Sequence, residues 1–581
     1  MTSTASTDPA TVVDLVAQRR GGRGTLTVLG GDAVVRSVTW AAVHDRARRL
    51  MTLLRGHGVG PGSRVGLLAD TGVGLVTAIQ GVWLSGAAVT ILPMPVRRAD
   101  AAYVAHLRRT IADGRLGLVL VGVPLAGLRP ELAAAAPTAD LDAAVADAAV
   151  YEPATPATPA PDDLAVLQYT SGSTRQPRGV PVTHGNLAAN LASIRVATRH
   201  AEVHGCLLSW LPLYHDMGLV GFAVLPMSCG CPLVLQPPAV FATRPLGWLE
   251  AVAAYRATAT AAPNFAWGLA TRLLDALPRH DTGLRLDSLR FALTGGEPVD
   301  PVLMTRFAAA ARRHGLDPSV LTCGYGLAEA TLAVSFSRPG AGLEFDVVDP
   351  DELELRGYAV PADGPRPGRA LARLGPPVPG CRLRVVHRVT GRPLGERRVG
   401  HVEVAGASVV RGYWGEPPAP PGGWRATGDL GYLADGELVV CGREKDVLFA
   451  AGRNVYPQDV EAVAGEVPGV RPGGVAAFAV PDDAVGSGHR LAGDRLAGDR
   501  LAVAVESRAW SDGPTAAAVR SAVTAAVAAE LGLTPTVVAV LAPGRLGRTS
   551  SGKLQRAETR RQFLAGELEP ESPPAGPAGA P

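Results

Sequence analysis

Apolar positions in the first half of the chain alternate between the spacing of a helix and that of a strand. Residues 39–58 place apolar side chains three and four apart, with Thr39 as a candidate cap and glycines near the end, as in an amphipathic helix. Short apolar runs of strand length lie at 64–70, 116–122 and 163–170. This alternation predicts an α/β fold with a mainly parallel sheet.

One uncharged run, residues 71–93, is long enough to suggest a membrane span. Gly86 interrupts it, and an internal glycine between two apolar runs favours a buried helix followed by a buried strand. We therefore expect no integral membrane contact.

A change of pattern near residue 440 predicts a second, smaller domain. Beyond it, runs of helical and strand spacing are mixed; in chain order they are helix 456–467, strand 473–481, strand 500–507, helix 515–532 and strand 536–544. This is the pattern of a small α+β domain. The tail, residues 566–581, is rich in proline, glycine and alanine and is expected to be disordered because it has little to bury.

Charge and cysteine content narrow the class of partner. The 56 basic and 53 acidic residues leave a net charge of +3, so no overall field argues for nucleic acid as a partner. Six scattered cysteines form no disulfide framework or zinc spacing and predict a reduced, cytoplasmic compartment. His200 and His204 are one helical turn apart but lack the glutamate of a zinc-protease motif, so we interpret them as a solvated helix face.

Lysine is nearly absent from the chain. Lys445 and Lys553 are its only two lysines, and the other 54 of the 56 basic residues are arginine. Coding bias explains the depletion, but a lysine that survives it suggests a position where a guanidinium will not serve.

A glycine-, serine- and threonine-rich segment, YTSGSTRQPRG at residues 169–179, directly follows a strand pattern; we refer to it as the phosphate loop. Backbone N–H groups in such a loop, with nearby hydroxyls, can surround the oxygens of a polyphosphate. The candidate ligands are Thr170, Ser171, Gly172, Ser173 and Thr174, with Arg178 to neutralise charge. The alternative is an ordinary solvated turn.

A second phosphate motif fails on inspection. Residues 547–553 satisfy the first seven positions of the Walker A pattern, but Leu554 stands where a hydroxyl would bind Mg²⁺. Only 27 residues follow, too few for the sheet that such a site needs. We therefore reject a Walker A site.

Three further segments are weak signals individually. LTGGEP at 293–298 and CGYGLAEAT at 323–331 place glycine beside a carboxylate, and ATGDLGYL at 426–433 contains Asp429, whose two oxygens can accept from the hydroxyls of a ribose. Each would more often be a structural turn or a helix cap.

Taken together and in this order, the segments resemble one family, the adenylate-forming enzymes, which include acyl-CoA synthetases, nonribosomal adenylation domains and luciferase. The resemblance covers about residues 25–560. Three features resemble the fatty acyl-AMP ligase branch of this family: Arg175 directly after SGST, and the segments HDMGL and GLAEAT. The other segments that carry it are WLPLYHDMGLVG, APNFAW, TGDLGYLADGEL, GREKDVLFAAGRNVYPQDVE and RTSSGKLQR.

The resemblance implies a role for each candidate residue. ATP would bind with its β- and γ-phosphates in the phosphate loop, and Glu329 would bind Mg²⁺. His215 would lie near the acyl carboxylate, and Lys553 would reach from the small domain to that carboxylate and the α-phosphate. Gly296 and Tyr325 would border the adenine, and Asp429, assisted by Arg443, would bind the ribose.

The chemistry explains why these residue types are needed. A carboxylate must attack an α-phosphate that is already anionic, so the site must align two like charges and neutralise the departing pyrophosphate. A compact ammonium donates to several oxygens without fixing a plane, whereas a guanidinium prefers a two-pronged fork. Arg178 stands where many relatives have lysine; it keeps the charge but alters the geometry.

The resemblance also implies a division of the chain. In order, it comprises a flexible N-terminus 1–24, a large adenylation domain 25–441 with an insertion at about 341–373, a hinge 442–446 containing Lys445, a small mobile C-terminal domain 447–565 and the tail.

The insertion bears on the thiol that accepts the acyl group. In the acyl-AMP ligase branch an insertion here accompanies delivery to an acyl carrier protein rather than to CoA. The chain has no phosphopantetheine attachment motif, so a carrier would act in trans or be absent. An acyl-CoA ligase, an amino-acid-activating domain using Asp216, and a catalytically idle nucleotide-binding protein remain the alternatives.

Overall fold

The computed structural model describes the following residues: 11–18, 24–30, 35–95, 99–170, 178–203, 205–278, 283–363, 368–450, 453–481, 500–549 and 552–568. The strands within them are, in chain order, β1 (Thr25–Leu29), β2 (Val35–Thr39), β3 (Arg64–Leu68), β4 (Ala88–Ile91), β5 (Leu118–Val121), β6 (Thr138–Asp140), β7 (Leu164–Thr170), β8 (Arg178–Thr183), β9 (Leu207–Ser209), β10 (Leu233–Leu235), β11 (Ala259–Ala262), β12 (Phe291–Gly295), β13 (Leu321–Gly326), β14 (Ala333–Phe336), β15 (Phe345–Val348), β16 (Arg369–Ala372), β17 (Cys381–Val386), β18 (Gly400–Gly406), β19 (Arg425–Ala434), β20 (Glu437–Arg443), β21 (Leu448–Ala450), β22 (Arg453–Val455), β23 (Val475–Val480), β24 (Arg500–Glu506) and β25 (Val537–Leu541).

The α-helices of the same residues are α1 (Val12–Gln18), α2 (Trp40–Gly56), α3 (Val73–Leu84), α4 (Ala101–Asp113), α5 (Arg129–Leu132), α6 (Leu141–Asp147), α7 (His184–Ala197), α8 (His200–Val203), α9 (Leu225–Cys229), α10 (Pro238–Thr243), α11 (Leu246–Ala254), α12 (Asn264–Ala276), α13 (Pro301–Arg312), α14 (Pro457–Gly465), α15 (Gly513–Leu531) and α16 (Arg556–Leu564).

Two mainly parallel sheets form the body of the large domain. One has the order β14-β13-β12-β11-β9-β10-β1-β2 and the other β6-β5-β3-β4-β7-β8. In the first, only the edge strands β14 and β2 pair antiparallel to their neighbours; in the second, only β8 does. The predicted α/β architecture with mainly parallel sheets is therefore confirmed.

Helix α2 has the N-terminal cap and the apolar stripe that its sequence predicts. Thr39 accepts a hydrogen bond from the backbone N–H of Ala42 at 3.1 Å, which satisfies one of the donors left open at a helix start. The apolar stripe is buried, with Val43, Ala47 and Leu50 at 0% exposure. Burial of this face against α3 is what holds the helix in place.

The uncharged run at 71–93 is a helix and a strand, as predicted. Helix α3 and strand β4 flank a turn in which Gly86 has φ +85°, a conformation that favours glycine. Both elements are buried on nearly every side. Among the residues that the structure describes, no helix is long and apolar enough to cross a membrane.

The N-terminal segment departs from expectation. Residues 12–18, assigned above to a flexible N-terminus, form α1, so that prediction is wrong for them. Thr11 and Asp14 cap the helix, with the Thr11 hydroxyl donating to Asp14 at 2.7 Å, and Val12 is fully buried. The helix packs on α7 and α9, and seven residues are too few for sequence periodicity to reveal such packing.

A four-stranded antiparallel sheet, in the order β17-β18-β19-β20, completes the large domain and leads into the hinge. The insertion lies beside it. It contains the antiparallel pair β15-β16 and a short π-helical turn, Glu352–Arg356.

The small domain has its own apolar core. Its sheet, β23-β24-β25, is mixed, because β24 pairs antiparallel with β23 and parallel with β25. The helices α14 and α15 cover it, and Val460, Val523 and Val527 are fully buried there. A separate core allows this domain to move as a unit. Of the tail predicted to be disordered, residues 566–581, residues 569–581 lie outside the described residues; Leu568 is 4% exposed and packs in an apolar cluster, so the prediction is wrong for that residue.

Candidate active site

The candidate site lies where parallel strands of the eight-stranded sheet end, the usual place for ligands in α/β sheets. Strands β12 and β13 run side by side and end at Gly295 and Gly326. A Cβ added to Gly295 would lie 2.7 Å from the Gly324 carbonyl oxygen, so glycine at position 295 permits the close approach of the two strands. The cleft continues to the hinge and to the small domain.

Tyr325, Asp429 and Arg443 form a connected group on one wall of the cleft. The Tyr325 hydroxyl donates to Oδ2 of Asp429 at 2.5 Å, and Nε of Arg443 lies 3.0 Å from Oδ1. Burial raises the pKa of the Asp429 carboxyl, while Arg443 and the Tyr325 hydrogen bond oppose that rise. The carboxylate is therefore held in one orientation by a donor on each oxygen, and it faces the cleft.

Glu329 lies on the same side, in the 3-10 turn Ala328–Ala330 that follows β13. Its Oε1 accepts from the Tyr413 hydroxyl at 2.6 Å. Within the described ranges, no arginine, lysine or histidine forms an ion pair with it. A half-buried carboxylate that faces the cleft fits a magnesium ion, which commonly takes one or two carboxylates together with substrate phosphates.

Lys553 reaches this cleft from the small domain. It follows Gly552, at φ +86°, in a turn closed by two hydrogen bonds with Thr549: N–H of Thr549 to the Lys553 carbonyl at 2.8 Å, and N–H of Lys553 to the Thr549 hydroxyl at 3.1 Å. A Cβ added to Gly296, which has φ +83°, would lie 3.6 Å from Nζ of Lys553. The ammonium group thus lies against the backbone at Gly296.

Ionisable groups around Lys553 respond to its charge. Burial, with a smaller contribution from Lys553, lowers the pKa of His215 to about 3, so its imidazole is neutral. Burial raises the pKa of Asp216 and of Glu297, and Lys553 opposes both rises. Glu297 also accepts from the backbone N–H of Asn264 at 2.8 Å.

An apolar cavity of about 740 Å³ opens beside His215 and Lys553. Aromatic side chains line part of it, and Trp210 stacks on Phe241 with ring centroids 3.7 Å apart and planes 7° from parallel. Asp216 lies at the same mouth and accepts from the backbone N–H of Met217 at 2.8 Å. The cavity has the character of a site for a hydrocarbon chain whose polar end faces the cleft.

Only part of the phosphate loop lies within the described residues. Ser171, Gly172, Ser173 and Thr174 lie outside the described residues, as does the side chain of Thr170. Arg178, at the start of β8, pairs with Glu416 at 2.5 Å. Its guanidinium also lies 3.5 Å above the ring of Tyr413.

The segment predicted as a hinge, residues 442–446, contacts both the large and the small domain. Lys445 lies in the 3-10 turn Glu444–Asp446. Glu444 is 2.7 Å from His401 of the large domain, and Asp446 is 3.3 Å from Arg556 of the small domain. Lys445 thus stands between a residue tied to one domain and a residue tied to the other.

The structure adds Tyr413 to the residues that the sequence singled out; it lines the cleft together with Glu297 of the LTGGEP segment and Asp216, which the sequence raised only for an amino-acid-activating domain. Tyr413 lies in a glycine- and proline-rich segment, RGYWGEPP, where an aromatic residue between turn residues is the only signal.

His200, in contrast, was expected on a solvated face but is 6% exposed. Its Nε2 lies 3.7 Å from the Cys231 thiol. His204 lies outside the described residues. The prediction for His200 is wrong, because α8 has only four residues and packing rather than its own periodicity decides which face is buried.

Comparisons with known proteins show the family to which the chain belongs. The family described as AMP-binding enzymes matches residues 16–414. A Mycobacterium tuberculosis protein named as a ligase is 40% identical over 527 residues, 90% of this chain and 94% of its own. The M. tuberculosis long-chain-fatty-acid–AMP ligase FadD23 is 31% identical over 570 residues, 92% of each chain.

A solved structure from work on fatty acyl-adenylate ligases of E. coli and L. pneumophila is similar throughout. It superposes with a TM-score of 0.84 at 30% identity, covering 96% of this chain and 98% of its own.

Proposed function

The chain belongs to the AMP-binding enzyme family and is an acid-activating, adenylate-forming ligase, and we propose that it uses ATP to convert a fatty or related carboxylic acid to an acyl-AMP with release of pyrophosphate. We further propose that the acyl group passes to the phosphopantetheine thiol of an acyl carrier protein acting in trans.

One observation carries the proposal. The ammonium group of Lys553 lies against Gly296, at the junction between the Tyr325–Asp429–Arg443 wall and the mouth of the apolar cavity. A nucleotide held on that wall and an acid held in the cavity would meet there. A cation at the meeting point offsets the repulsion between the carboxylate and the α-phosphate.

The reaction follows from this arrangement. A carboxylate oxygen attacks the α-phosphorus, the bond from that phosphorus to the bridging oxygen of the β-phosphate breaks, and pyrophosphate leaves with the electron pair. In this proposal Lys553 holds the carboxylate and α-phosphate in line. Neutral His215 adds no positive charge and lies at the cavity mouth beside the acyl carboxylate.

The remaining residues hold ATP. Asp429 accepts from the ribose hydroxyls, Arg443 keeps that carboxylate in place, and Gly296 and Tyr325 border the adenine. The phosphate loop takes the β- and γ-phosphates through residues 170–174 and Arg178. Glu329 would hold a magnesium ion together with the phosphates, and the ion would neutralise charge on the departing pyrophosphate.

Contacts between the insertion and the small domain favour a carrier protein as acceptor. Nδ2 of Asn454 donates to the Glu354 carbonyl at 3.0 Å, and Arg453 lies 3.6 Å from the Glu354 carboxylate. Arg369, at the end of the insertion, pairs with Asp459 at 3.0 Å and lies 4.1 Å from the Tyr456 ring centroid. These contacts hold the start of the small domain against the insertion. If the small domain must rotate before acyl transfer, an acceptor protein can break these contacts with the free energy of its own binding surface.

We place the reaction in the cytoplasm, where ATP is available. Six free cysteines suit a reducing compartment.

Exchange of labelled pyrophosphate into ATP, with a panel of fatty acids, tests the first step. We expect exchange with at least one acid and its loss in Lys553→Ala. Absence of exchange with every acid, for folded protein, would contradict the proposal and favour an idle nucleotide-binding protein. Offering CoA and a holo carrier protein to the preformed adenylate then tests the acceptor, and acylation of CoA alone would identify an acyl-CoA ligase.

A further inference from the structure

We propose that Tyr413 is a positioning residue for adenylation: its hydroxyl orients the Glu329 carboxylate toward a metal ion, and its ring supports Arg178 beside the phosphate loop. This inference rests on the proposed function, in which Glu329 binds that ion.

Tyr413 belongs to a segment that holds Glu329 at two points. The backbone N–H of Val410 donates to the Glu329 carbonyl at 2.9 Å, and the Tyr413 hydroxyl donates to its Oε1 at 2.6 Å. One contact fixes the backbone and the other fixes the carboxylate. Such an outer hydrogen bond orients a metal-binding carboxylate and restricts the positions that its oxygens can take.

The ring of Tyr413 carries the second contact. The guanidinium carbon of Arg178 lies 3.5 Å from the ring centroid and that of Arg425 lies 4.4 Å from it. A cation this close to an aromatic ring is attracted by its electron density. Arg178 is also held by Glu416, three residues further along the same segment.

Trp414, the residue after Tyr413, joins residues 410–416 to the end of the phosphate loop. The backbone N–H of Trp414 donates to the Gly179 carbonyl at 2.8 Å, and its indole N–H donates to the Asp113 carbonyl at 3.0 Å. Residues 410–416 therefore connect the proposed metal carboxylate with the loop proposed to hold the phosphates. Tyr413 contacts both Glu329 and Arg178.

Two substitutions separate the hydroxyl from the ring. Tyr413→Phe keeps the ring beside Arg178 and removes the hydrogen bond to Glu329; Tyr413→Leu removes both. The first readout is Mn²⁺ affinity, measured by electron paramagnetic resonance with α,β-methylene-ATP bound. We expect Tyr413→Phe to weaken it about 10-fold, as for other losses of a hydrogen bond to a metal-binding group.

Pyrophosphate exchange gives the second readout. Tyr413→Phe should raise the Mg²⁺ concentration needed for half-maximal exchange by a similar factor and leave the rate at saturating Mg²⁺ close to wild type. Tyr413→Leu should in addition raise the KM for ATP, because Arg178 loses its support.

Tyr432→Phe is the matched control. Its hydroxyl donates to Asp346 at 2.7 Å in a fully buried position away from the cleft, so it loses the same kind of hydrogen bond without approaching the proposed metal site. We expect unchanged Mn²⁺ affinity. An equal effect in both variants would identify a loss of folding and overturn the positioning role.

Glu329→Gln separates this inference from the proposed function. If Glu329→Gln abolishes Mn²⁺ binding and Tyr413→Phe leaves it at the wild-type value, the inference is overturned and the proposed metal site stands. If Glu329→Gln leaves Mn²⁺ binding unchanged, the proposed metal site at Glu329 and this inference are both overturned.

Discussion

The hydroxyl of Tyr325 donates a 2.5 Å hydrogen bond to Asp429, which is 104 residues away in the sequence. Tyr325 is the next-to-last residue of β13, which lies beside the edge strand β14 of the eight-stranded sheet, whereas Asp429 lies in β19 of the antiparallel sheet. The two sheets meet through this contact on the wall of the cleft. Asp429 is 4% exposed, so its orientation depends on hydrogen-bond donors from the protein, namely Tyr325 and Arg443.

Replacing Tyr325 with phenylalanine should weaken ATP binding. The variant keeps the ring at the adenine position but leaves Oδ2 of the buried Asp429 without its hydroxyl donor. Hydrogen bonds to charged groups contribute about 1.5–3 kcal/mol, so we expect the KM for ATP to rise by about 10-fold or more in pyrophosphate exchange, with a smaller change in kcat. Tyr432→Phe again serves as control, and an unchanged KM would show that Arg443 alone orients the carboxylate.

The two lysines should differ in their tolerance of arginine. Lys553→Arg keeps the charge, but a planar guanidinium fits poorly where the ammonium lies against Gly296. We expect exchange to fall on the order of 100-fold, comparable with the loss of one donor to a transition state. Lys445→Arg, at the hinge, should leave exchange close to wild type. Wild-type exchange by Lys553→Arg would show that charge alone suffices.

Local sequence signals predicted the elements that depend on local physics. The cap at Thr39, the apolar stripe of α2 and the turn at Gly86 each act within a few residues, so periodicity and turn chemistry reveal them. The apolar residues of α2 that enter the large-domain core also follow such a pattern.

Contacts between distant segments could not be predicted in this way. The Tyr413–Glu329 hydrogen bond joins residues 84 apart, and the burial of Val12 in α1 depends on helices much later in the chain. Neither leaves a period or a spacing in its own segment. Partners of this kind are chosen by tertiary packing, which overrides local propensity.

Glu354 should make stability depend on pH in a defined direction. Burial, opposed by Arg453, raises its pKa from 4.5 to about 7 in the folded protein. Between these values the folded state holds more protons than the unfolded state, so stability decreases as pH rises from 4.5 to about 7. Glu354→Gln, which mimics the protonated acid, should match the wild-type melting temperature near pH 4.5 and exceed it above pH 7. A constant difference across that range would contradict the assignment.

The contacts of the insertion should decide how readily CoA serves as acceptor. Asn454 and Arg453 tie the start of the small domain to Glu354, so the double variant Arg453→Met with Asn454→Ala should free that domain to rotate. We expect faster acylation of CoA from the preformed adenylate, measured by mass spectrometry, while pyrophosphate exchange stays near wild type because neither side chain belongs to the proposed ATP or acid sites.

Arg306→Ala is the matched control, since the Arg306–Glu466 pair also joins the two domains but is about 60% exposed on both sides and contributes little. Unchanged acylation of CoA in the double variant would show that the insertion does not restrain the domain, and loss of exchange would show that these contacts support adenylation itself.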